Sequence, residues 1–459
     1  MNRNSDTIAS IATGFNNSGI GIVRISGPDS FAIIQKIFAD KKGERFTGLE
    51  SHRVYYGYIF DEDTMVDEVI VITMKAPRSF TAEDTVEIDC HGGNLVLRKV
   101  LKTVIKNGAR TADPGEFTKR AFLNGRIDLS EAEAVMDLIG SKNSLALENS
   151  LRQLTGRLHD EIVLLREDIL YETAKIEAAI DDPEHYSLLG YSEILRDKIT
   201  SIIKKIEALA SSFDNGRIIK EGIHAVIIGK PNVGKSSLLN LLSGYERAIV
   251  TDIPGTTRDI IEESIDLDGL NLIISDTAGI RSSEDRVEKI GVEKAIKQAE
   301  DSDLLILMLD SSSELDEDDK KLLSYIRNRC SVILLNKSDL ESRTDTGDIG
   351  ALSDIPCISV SVKNNTGIEE FSKLLHSMFL KGDISYNDEI IITNERHREL
   401  LGRAAESLKN VLVSIDNRLP EDFYSIDLVD AYDDLGLIIG EKAEDDLVDT
   451  IFSRFCMGK

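Results

Sequence analysis

Positive charge is scarce in this chain. Its 54 Lys and Arg stand against 81 Asp and Glu, a net charge of -27. A protein that held nucleic acid by broad phosphate neutralisation would be basic, so any RNA contact is confined to a local basic patch or to a partner. Cysteine is rare too. Cys90, Cys330, Cys357 and Cys456 show no pairing pattern, which fits a reducing cytosol and a cytoplasmic location. Beyond the adjacency of Cys90 and His91, nothing sits at zinc-ligand spacing. No apolar run approaches ~18 residues, so no membrane span is expected. Residues 1–14 lack a basic region followed by an apolar core, so no secretory signal is expected. Internal repeats and low-complexity segments are absent.

What is present is ordinary globular material, 41% hydrophobic and 29% charged, and 459 residues are enough for about three domains. Residues 1–118 read as mixed α/β, with strand candidates at 20–25, 69–73 and 85–89 and helix candidates at 30–38 and 95–107. The pattern turns helical from 130 to 179. Another helix is expected over 194–210, with Leu195, Ile199, Ile202, Ile206 and Leu209 on one stripe and Asn215-Gly216 ending it. Strand candidates at 225–228, 270–275, 304–310 and 332–336 then alternate with helices, which predicts a doubly wound parallel sheet. Beyond 380 the helical pattern resumes, with Leu400, Leu401, Ala404, Leu408 and Val411 on one face. The expected organisation is an α/β domain over 1–118 and a helical domain formed by 119–221 and 381–459, with a nucleotide-binding domain over 222–380 inserted in it.

Four ordered elements identify that inserted domain as a GTPase. Gly229-Lys230-Pro231-Asn232-Val233-Gly234-Lys235-Ser236, followed by Ser237, is a phosphate-binding loop between a strand and a helix. Its backbone N–H groups and the helix end would surround the phosphates, Lys235 would pair with the β- and γ-phosphates, and Ser236 would ligate Mg²⁺. Thr257, in Gly255-Thr256-Thr257-Arg258, is the switch threonine expected to close on Mg²⁺. In Asp276-Thr277-Ala278-Gly279, Asp276 would hold a magnesium-bound water and Gly279 would offer its N–H to the γ-phosphate. Asn336-Lys337-Ser338-Asp339 reads the base. The Asp339 carboxylate accepts from guanine N1–H and N2–H₂, and a site built on such partners rejects adenine by ~10⁴ or more. Ser361-Val362-Lys363 stands where the last base-contacting loop belongs.

One position departs from the usual scheme. Ile280 follows Gly279 where a Gln would orient the attacking water, and isoleucine cannot hydrogen-bond water. Glu288 is the candidate replacement; a solvated helix charge is the competing account of the same residue. Asn232 offers an oxygen to a monovalent cation beside the phosphates, and the loop 251–256 offers backbone carbonyls to the same ion.

These elements, with Thr251-Asp252-Ile253-Pro254 before Gly255, resemble the MnmE (TrmE) family of tRNA-modifying GTPases. So do Asp6-Thr7-Ile8, Gly21-Ile22-Val23-Arg24-Ile25-Ser26-Gly27, Phe80-Thr81-Ala82-Glu83-Asp84, His91-Gly92-Gly93, residues 114–124 and the ending Cys456-Met457-Gly458-Lys459. The resemblance spans essentially the whole chain. It implies an N-terminal domain that dimerises and binds a 5-formyl-tetrahydrofolate-type cofactor, with 5,10-methylene-tetrahydrofolate as donor, and a GTPase activated by K⁺. It implies an FAD-containing partner, MnmG, and installation of an aminomethyl or carboxymethylaminomethyl group at C5 of the wobble uridine (U34) of tRNA. Carried over by motif, the folate contacts are Arg24, Glu87, Arg126 and Lys459, and the K⁺ ligands are Asn232, Thr251, Ile253 and Thr256. Pro254 and Arg126 are small departures from the family pattern. Cys456 reads as a frayed tail or a thiolate nucleophile. Two other functions stay open on the sequence: a ribosome-assembly or translation switch GTPase, which would want a basic RNA-binding domain, and a scaffold whose GTPase gates assembly.

Overall fold

The computed structural model describes residues 6–14, 17–186, 188–244, 262–275, 302–350, 354–380, 390–455 and 458. The chain divides into two compact units. One comprises Met1–Met136, Gln153–Tyr186 and Tyr424–Lys459; the other comprises Asp137–Arg152 and Ser187–Phe423.

The first unit is built on a seven-stranded sheet. Its strands are β1 (Ile8–Ile11), β2 (Ile20–Ser26), β3 (Phe38–Ala39), β4 (Arg53–Asp61), β5 (Thr64–Met74), β6 (Thr85–His91) and β7 (Arg110–Thr111), in the order β3-β4-β5-β6-β2-β1-β7. Alternation decides which face is covered. Val23 and Ile25 of β2 and Val86 and Ile88 of β6 point into a core closed by helices Ser30–Ile37 and Asn94–Lys106, through Ile33, Ile34, Leu97 and Val100. The intervening residues point the other way, and the antiparallel register sets Arg24 opposite Glu87. In the same unit, Phe122 and Phe455 flank Phe452 at centroid distances of 6.1 and 4.9 Å. These contacts seat the C-terminal helix Asp445–Ser453 beside the helix Glu116–Leu123.

The second unit holds a six-stranded sheet: β8 (Ile223–Ile228), β9 (Glu262–Leu267), β10 (Leu270–Ser275), β11 (Leu304–Asp310), β12 (Ser331–Asn336) and β13 (Cys357–Ser359), ordered β13-β12-β11-β8-β10-β9. All pairings are parallel except that of β9 with β10. The near-continuous burial of β11 and β12 follows from helices on both faces, as in parallel sheets generally. Helix Tyr191–Ser211 packs along helix Glu395–Asp416. Ion pairs Arg196–Asp416 and Lys409–Glu207, at 2.5 and 2.7 Å, flank that seam.

One expectation needs correction. Asn215-Gly216 does not end the helix before it; that helix stops at Ser211, and both residues lie inside the next one, Phe213–Glu221. Gly216 is there for close approach, since a Cβ on it would stand 1.9 Å from the carbonyl oxygen of Ile392. The nucleotide-binding sheet is the expected doubly wound parallel sheet, with β9 added as an antiparallel edge. Among the described residues no helix is long and apolar enough to cross a membrane.

Candidate nucleotide and N-terminal sites

β8 delivers the chain to the phosphate-binding loop, and two backbone conformations there demand glycine. Gly229 has φ 151° and Gly234 φ 107°, and a Cβ would stand 2.5 Å from the Met308 carbonyl at the first and 2.3 Å from Asn336 Nδ2 at the second. Lys235 Nζ donates to the carbonyls of Gly229 and Lys230, both at 2.7 Å, bridging the mouth of the loop. The helix Lys235–Leu242 starts here, so its positive end faces the loop, with Ser236 half-buried in its first turn. Asn232 is exposed at φ 64°. Lys230 ties the loop sideways, donating to Asp316 Oδ2 at 2.7 Å and Asp319 Oδ2 at 2.6 Å. The Lys230 ammonium, helped by the Asp319 N–H, pulls the Asp316 carboxyl down to about 2.

The base-reading loop leaves β12 beside this loop. Buried Asn336 donates from Nδ2 to the Val233 carbonyl at 2.8 Å and accepts the Val362 N–H at 3.1 Å, joining three of the predicted elements. Lys337 has φ 65° and pairs with Asp310 at 2.6 Å. Ser338 N–H bonds the Val360 carbonyl at 3.1 Å. Asp339 is exposed and accepts from Ser361 Oγ at 2.6 Å. That hydroxyl is the largest reason its carboxyl lies below the ordinary carboxylate range, with Lys363 and Lys337 adding positive potential. The group therefore stays an anion, which is what a guanine N1–H and N2–H₂ require. Thr251, Asp252, Ile253, Pro254, Gly255, Thr256, Thr257, Asp276, Thr277, Ala278, Gly279, Ile280 and Glu288 lie outside the described residues.

The predicted N-terminal residues also meet. Arg24 Nε donates to Glu87 Oε1 at 2.7 Å, and its guanidinium lies 5.7 Å from the ring centroids of both Phe80 and Phe117. Arg126 stands 5.0 Å from the Phe80 centroid and donates to the Phe80 carbonyl at 2.9 Å. The C-terminal tail returns here, where Arg24 Nη1 reaches the Gly458 carbonyl at 3.4 Å. Gly458 itself packs so tightly that a Cβ would stand 2.3 Å from the Ile11 carbonyl. Cys456 and Lys459 lie outside the described residues.

Sequence reasoning missed the support beneath this site. Arg120, 4% exposed, donates to the Asp6 carbonyl and carboxylate and to Glu83 and Glu116. Arg110 completes the cluster by binding Asp6 and Glu116. Burial alone would raise the Glu116 carboxyl, but Arg110, the Asp113 N–H and Arg120 hold it below its usual range. The only sequence signal was the placement of Asp6, Glu83, Glu116 and Arg120 within the quoted motifs; nothing local says that they meet.

Comparison with known proteins agrees with this geometry. The MnmE helical domain family matches residues 129–456, and the family of the GTP-binding protein TrmE N-terminus matches residues 7–126. The tRNA modification GTPase MnmE of Lachnoclostridium phytofermentans is 56% identical over 456 residues, covering 99% of this chain and 100% of that protein. The proteins of the same name from Acetivibrio thermocellus and Bacillus licheniformis are 48% and 44% identical, each covering 99% of this chain and 99% and 100% of their own lengths. Among solved structures, the G domain of the T. maritima FeoB iron transporter is 24% identical over 34% of this chain and 98% of its own. Its TM-score of 0.27 is too low to support an inference. The phosphate loop locked to the base-reading loop, and relatives aligned end to end, lead to one conclusion: the chain belongs to the MnmE family of tRNA modification GTPases and is a P-loop GTP hydrolase.

Proposed function

We propose that this chain is the GTP-hydrolysing component of the cytoplasmic system that modifies C5 of the wobble uridine of tRNA. A folate held by the N-terminal unit would supply the one-carbon unit. The observation that carries this reading is the convergence of Arg24, Glu87 and Arg126 around Phe80. The donor set suits a folate. Glu87 can accept from pterin N–H groups, the two guanidinium groups can bind the pterin carbonyl or the glutamate tail, and Phe80 offers a ring face. Lys459, one residue beyond Gly458, adds a cation in the same reading. The working assembly is a homodimer that joins the FAD-dependent MnmG.

In the nucleotide site, Ser236 and Thr257 would hold Mg²⁺, which neutralises charge on the β- and γ-phosphates. Asn232 would hold K⁺ with Thr251, Ile253 and Thr256; the exposed side chain of Asn232 leaves its oxygen available. Glu288 would orient the attacking water.

Mass spectrometry of tRNA nucleosides from a strain lacking this protein tests the reading. Loss of the C5 wobble modification is expected, and an intact modification defeats the proposal. Titration of the purified protein with 5-formyl-tetrahydrofolate tests the site: Arg24→Ala or Glu87→Ala is expected to weaken binding at least ~10-fold, since one hydrogen bond to a charged group contributes about 1.5–3 kcal/mol.

A further inference from the structure

Helix Asn94–Lys106 carries four basic side chains and no carboxylate, in a chain where acids outnumber bases 81 to 54. At 100° per residue, Arg98, Lys99, Lys102 and Lys106 fall within one arc of ~100°, spread over ~12 Å of axis. The opposite arc holds Leu97, Val100 and Val104, all fully buried in the core of the N-terminal sheet. The basic arc therefore points to solvent by construction, and Arg98, Lys99 and Lys102 are exposed.

The four are not equivalent. Lys106 is neutralised by Asp61 at 2.9 Å and Glu62 at 2.7 Å. Arg98, Lys99 and Lys102 have no carboxylate partner among the described residues. Helix stabilisation does not account for them as a set. Cations complement the macrodipole in the last turn, where Lys106 sits, whereas Arg98 and Lys99 lie in the second turn from the N-terminus. Insertion into a bilayer does not fit either, because a membrane-lying helix buries its apolar face in lipid and this one spends that face on the core. What remains is a short strip of unneutralised cations on an acidic protein, complementary to a polyanion with closely spaced phosphates.

We infer that the outward face of helix Asn94–Lys106 docks the sugar–phosphate backbone of RNA through Arg98, Lys99 and Lys102. This rests on the reading of tRNA as substrate, and adds where the chain touches it. The contact is electrostatic and reads no sequence, so it gives orientation rather than choice of tRNA. It also reconciles RNA binding with a net charge of -27, because the positive potential needs to act only within a Debye length of ~8 Å at physiological salt.

The test is binding of an unmodified tRNA transcript by the full-length protein across a salt series. The variant is R98Q/K99Q/K102Q, and the control K320Q/K321Q/K373Q removes the same charge from exposed residues elsewhere. The first triple variant is expected to lose at least ~10-fold in affinity at 100 mM KCl. The slope of log affinity against log salt should flatten by about 2, since each phosphate contact contributes ~0.7–0.9. GTP hydrolysis without RNA should stay at the wild-type rate, and the control should bind like wild type. Affinity within twofold of wild type, equal loss in the control, or no binding by the wild type each overturns the inference. So does loss of binding to phosphatidylserine vesicles with tRNA binding intact, which would assign the strip to lipid. The substrate reading is judged separately by the wobble nucleosides of the deletion strain, so the surface can fail while the reading stands.

Discussion

The side-chain amide of Asn336 donates to the backbone carbonyl of Val233 across 2.8 Å, so the loop that reads the base and the loop that cradles the phosphates share one hydrogen bond. Asn336 is 4% exposed and its Oδ1 accepts from the Val362 N–H, which makes it the junction of three loops. Base and phosphate recognition are therefore geometrically coupled, and changes in one loop should be felt in the other.

Asp339→Asn should turn base preference from guanine toward xanthine, because an amide can donate to the xanthine carbonyl that stands where guanine has its amino group. Competition of labelled GTP with XTP measures this. Unchanged preference for GTP would mean that the base lies elsewhere.

The contribution of Asp339 to GTP affinity, measured as the difference between wild type and Asp339→Asn, should stay flat as pH falls from 8 to about 5, then drop only below the ordinary carboxylate range. The sign follows from the lowered pKa of Asp339: its charged form is fully present above the ordinary carboxylate range and is lost only as pH falls through the lower folded value. Ser361→Ala removes the largest cause of that lowering and should move the acid limb upward. Nucleotide titrations at stepped pH would reveal the shift, and an unmoved limb would show that the hydroxyl does not act on the carboxylate in the complex.

Hydrolysis should require K⁺ and nearly vanish in Na⁺, since a ring of oxygens sized for one ion fits the other poorly. Asn232→Ala should abolish the difference by removing the proposed side-chain ligand. Initial rates in KCl and NaCl at matched ionic strength decide it, and equal rates in wild type would remove the cation from the mechanism.

Glu288→Ala should leave nucleotide affinity near wild type and slow hydrolysis by about 10²–10⁴-fold, the range for lost general-base or water-orienting help. Single-turnover GTP hydrolysis separates the two effects. A near-normal rate would exclude Glu288 from orienting the attacking water.

Gly216→Ala should destabilise the second unit by about 1–3 kcal/mol, the usual cost of overpacking, because the added methyl meets the Ile392 carbonyl. A lowered Tm is the expected readout, and an unchanged one would mean that the 390–392 segment yields freely.

Features written in short stretches of chain were legible before any fold was known. β11 runs over the residues expected of it, because a strand buried between helices is a continuous apolar run with its own start and stop. The phosphate and base loops were legible for a similar reason: their chemistry needs fixed residue types at short spacing, whatever surrounds them. β4 was not legible, since it buries only part of one face and its exposed Val54 and Tyr56 break the alternation that would mark it. Asn215-Gly216 misled because a glycine that ends a helix and one that admits a neighbouring backbone look alike without the neighbour. Arg24 meets Glu87, Phe80 and Gly458 through long-range packing, the last across 434 positions of chain. Sheet register sets the first contact and the packing of Phe452 and Phe455 carries the tail to the last. Neither depends on the residues adjacent to Arg24, so no local pattern could have announced them.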